Sequence, residues 1–213
     1  MNKGMKVGGS LVAVMVMGIG ILMGLPKQMH VERTLVINAP AKLVYAQVIN
    51  VEKAQGWSPW TAADDSMVVT IGDKTEGVGA SYSWTSKDEV GGELTVAKAV
   101  EFSQIVTTMD FKDNGGGKGT WDFVEAGGLT TATWSMDAEA PGLFGGLFAL
   151  MADGMVGPMF EDGLNRLKEQ AEAVPEPVPA EGEPGAEAVE DAEAEVRAEG
   201  EEAAAGDKAT EEG

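Results

Sequence analysis

The sequence predicts an α+β fold: a curved seven-stranded antiparallel sheet wrapped around a long C-terminal helix, with two short helices after the first strand. Three observations carry that expectation. Residues 66–137 hold six consecutive runs of alternating apolar and polar residues joined by short Gly-rich links. A seventh alternating run lies ahead of them, separated by a helical pattern. Residues 145–173 carry an apolar stripe at helical spacing, and a sheet with one apolar face needs such a cover.

The elements follow in order. In "HVERTLVINAP", Leu35 and Ile37 face one way and Thr34 and Val36 the other, which makes a first strand at the sheet edge. In "APAKLVYAQVINVEKAQGW", Pro40 suits the first turn of a helix, and Val44, Val48 and Val51 recur at helical spacing. This reads as one or two short helices ending near Gly56. The strand runs are "SMVVTIGD", "VGASYSWTS", "GGELTVAKAV", "SQIVTTMDF", "GTWDFVE" and "TTATWSMD", with "DNGGGKG" and "AGGL" as turns. They form an antiparallel meander. Alternation puts Val78, Tyr82, Trp84, Leu94 and Val96 on the inner face, and likewise Ile105, Thr107, Met109, Phe111, Trp121, Phe123, Trp134 and Met136. In the last helix Leu147, Met151, Met155 and Met159 recur every four residues, and Phe160, Leu164 and Leu167 continue the stripe. Pro158 interrupts it, and Gly154 and Gly157 suit a kink there.

The flanks differ from this domain. "VGGSLVAVMVMGIGILMGLP", residues 7–26, is twenty residues without a charge, and at about 1.5 Å per residue it matches a bilayer core. Residues 1–28 are therefore expected to be a single-pass anchor. The run is longer than a signal-peptide core and lacks an A-x-A-like site, so the alternative, a cleaved signal and a secreted domain, ranks second. The expected orientation keeps the N-terminus inside the cytoplasmic membrane and exports the domain, although the flanking charges are nearly balanced. Residues 29–173 form the folded domain. Residues 174–213 hold 14 acidic against two basic residues, with no aromatic, Leu, Ile or Met, and are expected to be a disordered acidic tail. That tail is either a solubilising extension or a surface for a cationic partner.

Composition excludes several chemistries. There is no cysteine and one histidine, His30, so thiol catalysis, Cys-ligated zinc and His-rich metal sites are not expected. The net charge of -20 and the absence of a basic stripe argue against nucleic acid. Among the inward positions only Tyr82 and Thr107 carry polar groups, and no inward Arg or His is found. Glu93, Asp110, Asp122 and Asp137 alternate outward, and Glu125 lies inward at a wet strand end. No catalytic residue, metal ligand or cofactor is assigned. The expected function is membrane-tethered binding of a lipid or other hydrophobic molecule between sheet and helix. The walls would be Trp60, Tyr82, Trp84, Thr107, Met109, Trp121, Trp134, Met151, Met155 and Met159. The alternative is that these side chains fill a packed core, leaving a structural or interaction domain.

"APAKLVYAQVINVEKAQGWSPW", "GVGASYSWTSKDEVGGELTV", "TTATWSMD" and "MVGPMFEDGLNRLKEQAE" together resemble the SRPBCC superfamily (START-like, birch-pollen-allergen-like), in its bacterial polyketide cyclase/dehydrase-type branch. The resemblance covers residues 31–172. It implies the helix-grip fold with a hydrophobic cavity between sheet and helix, a lipid, sterol, polyketide or other apolar ligand, and in a minority of members an enzyme of the cyclase/dehydrase type. It also places "GWSPW" beside the cavity mouth. Pro59 holds Ser58 extended, so Trp57 and Trp60 point apart. Trp57 is the expected anchor of the short helices, and Trp60 the expected rim.

Overall fold

A computed structural model of the chain describes residues 17–87, 91–112 and 115–175. Residues 17–24 are helical. Strand β1 (Gln28–Ile37) leads into α1 (Ala41–Ile49), α2 (Val51–Trp57) and α3 (Pro59–Ala63). The meander follows as β2 (Val68–Ile71), β3 (Ser81–Thr85), β4 (Gly91–Val100), β5 (Gln104–Asp110), β6 (Gly116–Ala126) and β7 (Leu129–Glu139), and α4 (Gly145–Glu172) closes the domain. All seven strands form one antiparallel sheet in the order β1-β7-β6-β5-β4-β3-β2, so β1 and β2 are its edges.

The period of each strand sets what the sheet buries. Register places Val31, Leu35 and Ile37 of β1 in line with Met136, Ala132 and Thr130 of β7, and Trp121 of β6 directly opposite Trp134. Val31, Ile37, Val96, Ile105, Trp121, Phe123 and Trp134 are buried on this one face. Against it α4 turns Ala152, Phe160, Leu164, Leu167 and Ala171, all buried. Several of these helix positions are small because other groups come close. A Cβ at Gly163 would lie 3.0 Å from both the Pro59 ring and the Trp134 indole. A Cβ at Gly157 would meet the Arg33 guanidinium.

Four sequence expectations are corrected here. The two short helices expected after β1 are three: Ser58 is extended at ψ 122°, and Pro59 behind it occupies the first turn of the third, where its missing N–H costs nothing. Gly116–Lys118, expected in the turn before the sixth strand run, belong to β6 and pair with β5. Val78 is half exposed rather than inward, because Gly77 and Gly79 adopt positive φ values of 79° and 88° and hold this stretch as a loop; β3 starts only at Ser81. Arg33 shares the inner face of β1 with Leu35 and Ile37, contrary to the expectation of no inward arginine. Its side chain is lifted across Gly157 and held by Asp153 at 2.8 Å and Glu161 at 2.8 Å on α4, a pairing that keeps Asp153 below the usual carboxylate range. Helical structure continues through Pro158.

Of the apolar run 7–26, residues 7–16 lie outside the described residues. Among the described residues no helix is long and apolar enough to cross a membrane. The acidic tail beyond residue 175 also lies outside them.

Candidate functional site

The sheet and the helices do not close on each other completely. Between the sheet and the short helices α1–α3 lies a cavity of about 290 Å³ to which α4 contributes Phe160, and all five tryptophans of the chain, Trp57, Trp60, Trp84, Trp121 and Trp134, are on its wall. The space exists because of what β6 presents. Its inner positions run Gly117, Gly119, Trp121, Phe123, so half of the strand offers no side chain. A Cβ at Gly119 would sit 2.5 Å from the Thr107 hydroxyl, and one at Gly117 would sit 3.4 Å from the Met109 methyl. Gly119, which is on the cavity wall, therefore keeps the space beside Thr107 open.

The walls are aromatic and mutually braced. Trp134 stacks on Trp121 at 4.6 Å and on Phe160 of α4 at 3.8 Å, nearly parallel in both cases. Trp57 meets Trp121 and Trp134 edge-on at 5.3 and 5.8 Å. Its indole N–H donates to the Gln47 carbonyl at 3.1 Å, which fixes α2 to α1. Trp57 is thus both the anchor that the sequence suggests and part of the wall. Trp60, on α3, leans edge-on against Phe160 at 6.4 Å. On the far side Tyr82, Trp84 and Phe111 pack in sequence at 5.9 and 6.0 Å.

Polar side chains on the wall are few, and most lie toward the short helices. Gln55 of α2 and Thr61 of α3 join Tyr82 on the wall, and the Thr61 hydroxyl donates to Gln55 Oε1 at 3.3 Å. Thr107, on the opposite strands, donates weakly to the Gly119 carbonyl at 3.5 Å. Among the described residues Tyr82 is the only ionisable side chain on the wall. Burial pushes its phenol up to about 12, and the neighbouring Gln55 side chain offsets part of that rise. At neutral pH it is a neutral hydrogen-bond partner and not a base.

That shift has a stability consequence. The unfolded chain releases the Tyr82 proton near the ordinary value of 10.0, while the folded chain retains it to about 12. Between those values the folded state binds more protons, so stability is complete below the lower value and is lost as pH rises through the upper one. Tyr45, raised by burial and then by Glu101 and Glu76, adds a slope of the same sign. Alkaline unfolding curves for Tyr82→Phe should therefore flatten in that window without becoming level. An unchanged slope would place the Tyr82 phenol in water.

Of the sequence-predicted wall, Trp60, Tyr82, Trp84, Thr107, Met109, Trp121 and Trp134 line the cavity. Met151, Met155 and Met159 do not. Met151 and Met155 are 54% and 51% exposed, and Met159 is only half-buried on the flank of α4. The expectation for these three is corrected: the inward side of α4 is the small-residue side through Ala152 and Gly163, because β1, Pro59 and Trp134 approach it too closely for longer side chains. Sequence reasoning missed Phe160 as a wall, and Gln55, Ser58, Thr61 and Gly119 as well. Glu125 is not in the cavity; its carboxylate accepts from the Ala41 amide at 2.7 Å and caps α1, whose N-cap Pro40 supplies no side-chain bond. His30 is exposed and hydrogen-bonded to Asp137 at 2.7 Å. Among the described residues no group of His, Asp and Glu side chains is placed to hold a metal.

A family model described as polyketide cyclase / dehydrase and lipid transport matches residues 28–172, the whole of the sheet and α4. The chain belongs to this family. Solved structures of similar fold include protein CV1439 from Chromobacterium violaceum (14% identity, covering 68% of this chain and 98% of that one, TM-score 0.53). Protein TTHA0849 from Thermus thermophilus is similar at 18% identity (68% and 97% covered, TM-score 0.52). The Zhui aromatase/cyclase from Streptomyces is similar at 17% identity (68% and 94% covered, TM-score 0.50). Likeness at this level of identity establishes the shared fold and nothing finer. Among curated proteins none matches the chain.

Proposed function

We propose that this polyketide cyclase/dehydrase-type domain binds a lipid or another hydrophobic small molecule with one polar end, and does so tethered to a membrane by residues 7–26. The observation that carries the reading is the cavity itself: about 290 Å³, walled by five tryptophans, with its hydrogen-bonding groups concentrated at Gln55, Thr61 and Tyr82. Apolar walls supply affinity by burial, and a few placed polar groups orient the ligand. A hydroxyl or carbonyl at one end of the ligand would meet that polar cluster while its body lies along Trp121, Trp134 and Phe160. The tether is supported by the charge-free length of residues 7–26. It would hold the domain beside the phase into which such ligands partition. The export orientation belongs to the same proposal, and so does a cationic partner for the net negative tail.

Native mass spectrometry of the full chain, released from detergent and followed by organic extraction, tests the binding. A near one-to-one apolar adduct with a single hydroxyl, carbonyl or headgroup is expected. A mass that remains that of the bare chain after exposure to phosphatidylethanolamine, a long-chain fatty acid and an aromatic polyketide would end the proposal.

A cyclase/dehydrase-type reaction is the second reading, favoured by the polar side chains Gln55, Thr61 and Tyr82 on the cavity wall, the first two hydrogen-bonded to each other. Such a reaction would proceed by holding a flexible substrate in a reactive fold, since among the described residues the wall offers no general base near neutral pH. Recovery of a cyclised or dehydrated product from an offered linear polyketide would favour it over simple binding.

A further inference from the structure

The first half of α4 exposes what a water-facing helix does not. Leu147, Phe148, Leu150, Met151 and Met155 are 44%, 43%, 62%, 54% and 51% exposed, and Phe144 just before the helix is 64% exposed. At about 100° per residue these side chains share one broad sector with Gly154, and no charged residue falls in it. Residues 140–160 contain a single charge, Asp153, which lies on the flank and is engaged by Arg33. Beyond Pro158 the same sector carries Glu161, Asp162, Asn165, Arg166 and Glu169, all exposed. One face of one helix thus changes from wholly apolar to charged at a single level along its axis. Other exposed apolar side chains, such as Val68 and Val124, are not part of such a stretch.

A second observation says what covers the apolar half. The charge-free run that ends at Pro26 enters the domain at this place: a Cβ at Gly146, in the first turn of α4, would meet Leu25. Residues 17–24 do not fold back to shield the helix, for Met17, Ile21 and Met23 are themselves 67%, 61% and 70% exposed. A sharp polarity boundary across a helix, beside the point where a bilayer-length segment arrives, matches a membrane surface better than a protein partner.

We infer that the apolar half of α4 together with the two residues before it, 143–158 in all, lies in the headgroup–acyl boundary of the bilayer that holds residues 7–26, with the charged half of the helix in water. This rests on the tether proposed above. It makes the domain seated rather than hanging: two attachments, the incoming chain and the helix face, fix its tilt.

The chain has no cysteine, so single labelling sites can be introduced without removing any. The test is nitroxide labelling of Phe144→Cys, Leu150→Cys, Met151→Cys, Ile21→Cys and Asn165→Cys in the full chain. Each is reconstituted into vesicles of phosphatidylethanolamine and phosphatidylglycerol at three to one. Oxygen accessibility should exceed nickel-chelate accessibility at 144, 150, 151 and 21, with the ratio reversed at 165. Water-like ratios at all three helix positions while position 21 is immersed would overturn the seated face and leave the tether intact. Water-like ratios at position 21 and at the helix positions would remove both. Immersion at 150 with position 21 in water would keep the face and discard the tether. Dipolar broadening between labels at 150 on separate chains would show a second copy on this surface and overturn the membrane assignment.

Discussion

Gly119→Val is expected to weaken ligand binding by roughly ten- to hundredfold while the domain still folds. The substitution places a branched side chain into the cavity from the middle of β6, beside the Thr107 hydroxyl at 2.5 Å from the new Cβ and the Met109 methyl at 3.8 Å. Thr107 must rotate, and the polar cost is small, because its bond to the Gly119 carbonyl is already long at 3.5 Å. The backbone gains, since valine suits a strand and glycine does not, by up to about 1 kcal/mol. The ligand meets side-chain atoms where it previously met none. Overpacking of about 1–3 kcal/mol converts to roughly a ten- to hundredfold loss of affinity. Trp121 and Trp134 line the same space, so quenching of tryptophan fluorescence by N-phenyl-1-naphthylamine reads the loss directly in detergent-matched samples. Undiminished quenching in a folded Gly119→Val chain would mean that ligand enters elsewhere.

That glycine also shows where sequence reading stops. Alternation is a local property, and it located all seven strands, their antiparallel order and the aromatic wall, because each strand has to bury one face. A run of glycines, by contrast, signals a turn whenever only neighbours along the chain are considered. Gly117 and Gly119 instead pair with Met109 and Thr107 across β5, a relation between residues about ten positions apart. The methionines of α4 failed for a related reason. A four-residue spacing of large apolar side chains identifies a stripe but not the direction in which it points. The direction is set by close approach: Arg33 lies over Gly157, and Pro59 and Trp134 press on Gly163, so the inward stripe is the one with small residues. Arg33 itself was legible, being in phase with Leu35 and Ile37. Its removal from the cavity was not, since that depends on Asp153 and Glu161 of α4, more than a hundred residues away.

Phe160 is where the helix, the sheet and the cavity meet, and Phe160→Ala should be the most damaging single truncation in the domain. The residue is fully buried. Its ring lies 3.8 Å from Trp134 and within 5° of parallel, continuing the stack from Trp121, and Trp60 abuts its edge at 6.4 Å. Truncation removes the apolar area, the aromatic stack and the support of α3 together. Phe→Ala losses of this kind run at about 3–5 kcal/mol. For a domain of this size the thermal midpoint should fall by roughly 10 °C. The hole would open into the existing cavity, so part of the loss should be recoverable: an apolar ligand able to occupy the enlarged space stabilises the variant more than the parent chain. Phe160→Leu keeps most of the buried volume and loses the stack, and it should cost about 1 kcal/mol for the aromatic pairing plus a modest shape penalty. Thermal unfolding of the three chains with and without bound apolar ligand separates these effects. A drop for Phe160→Ala no larger than that for Phe160→Leu would mean that Trp134 or Trp60 moves in to fill the space, and that the wall is less rigid than its stacked geometry implies.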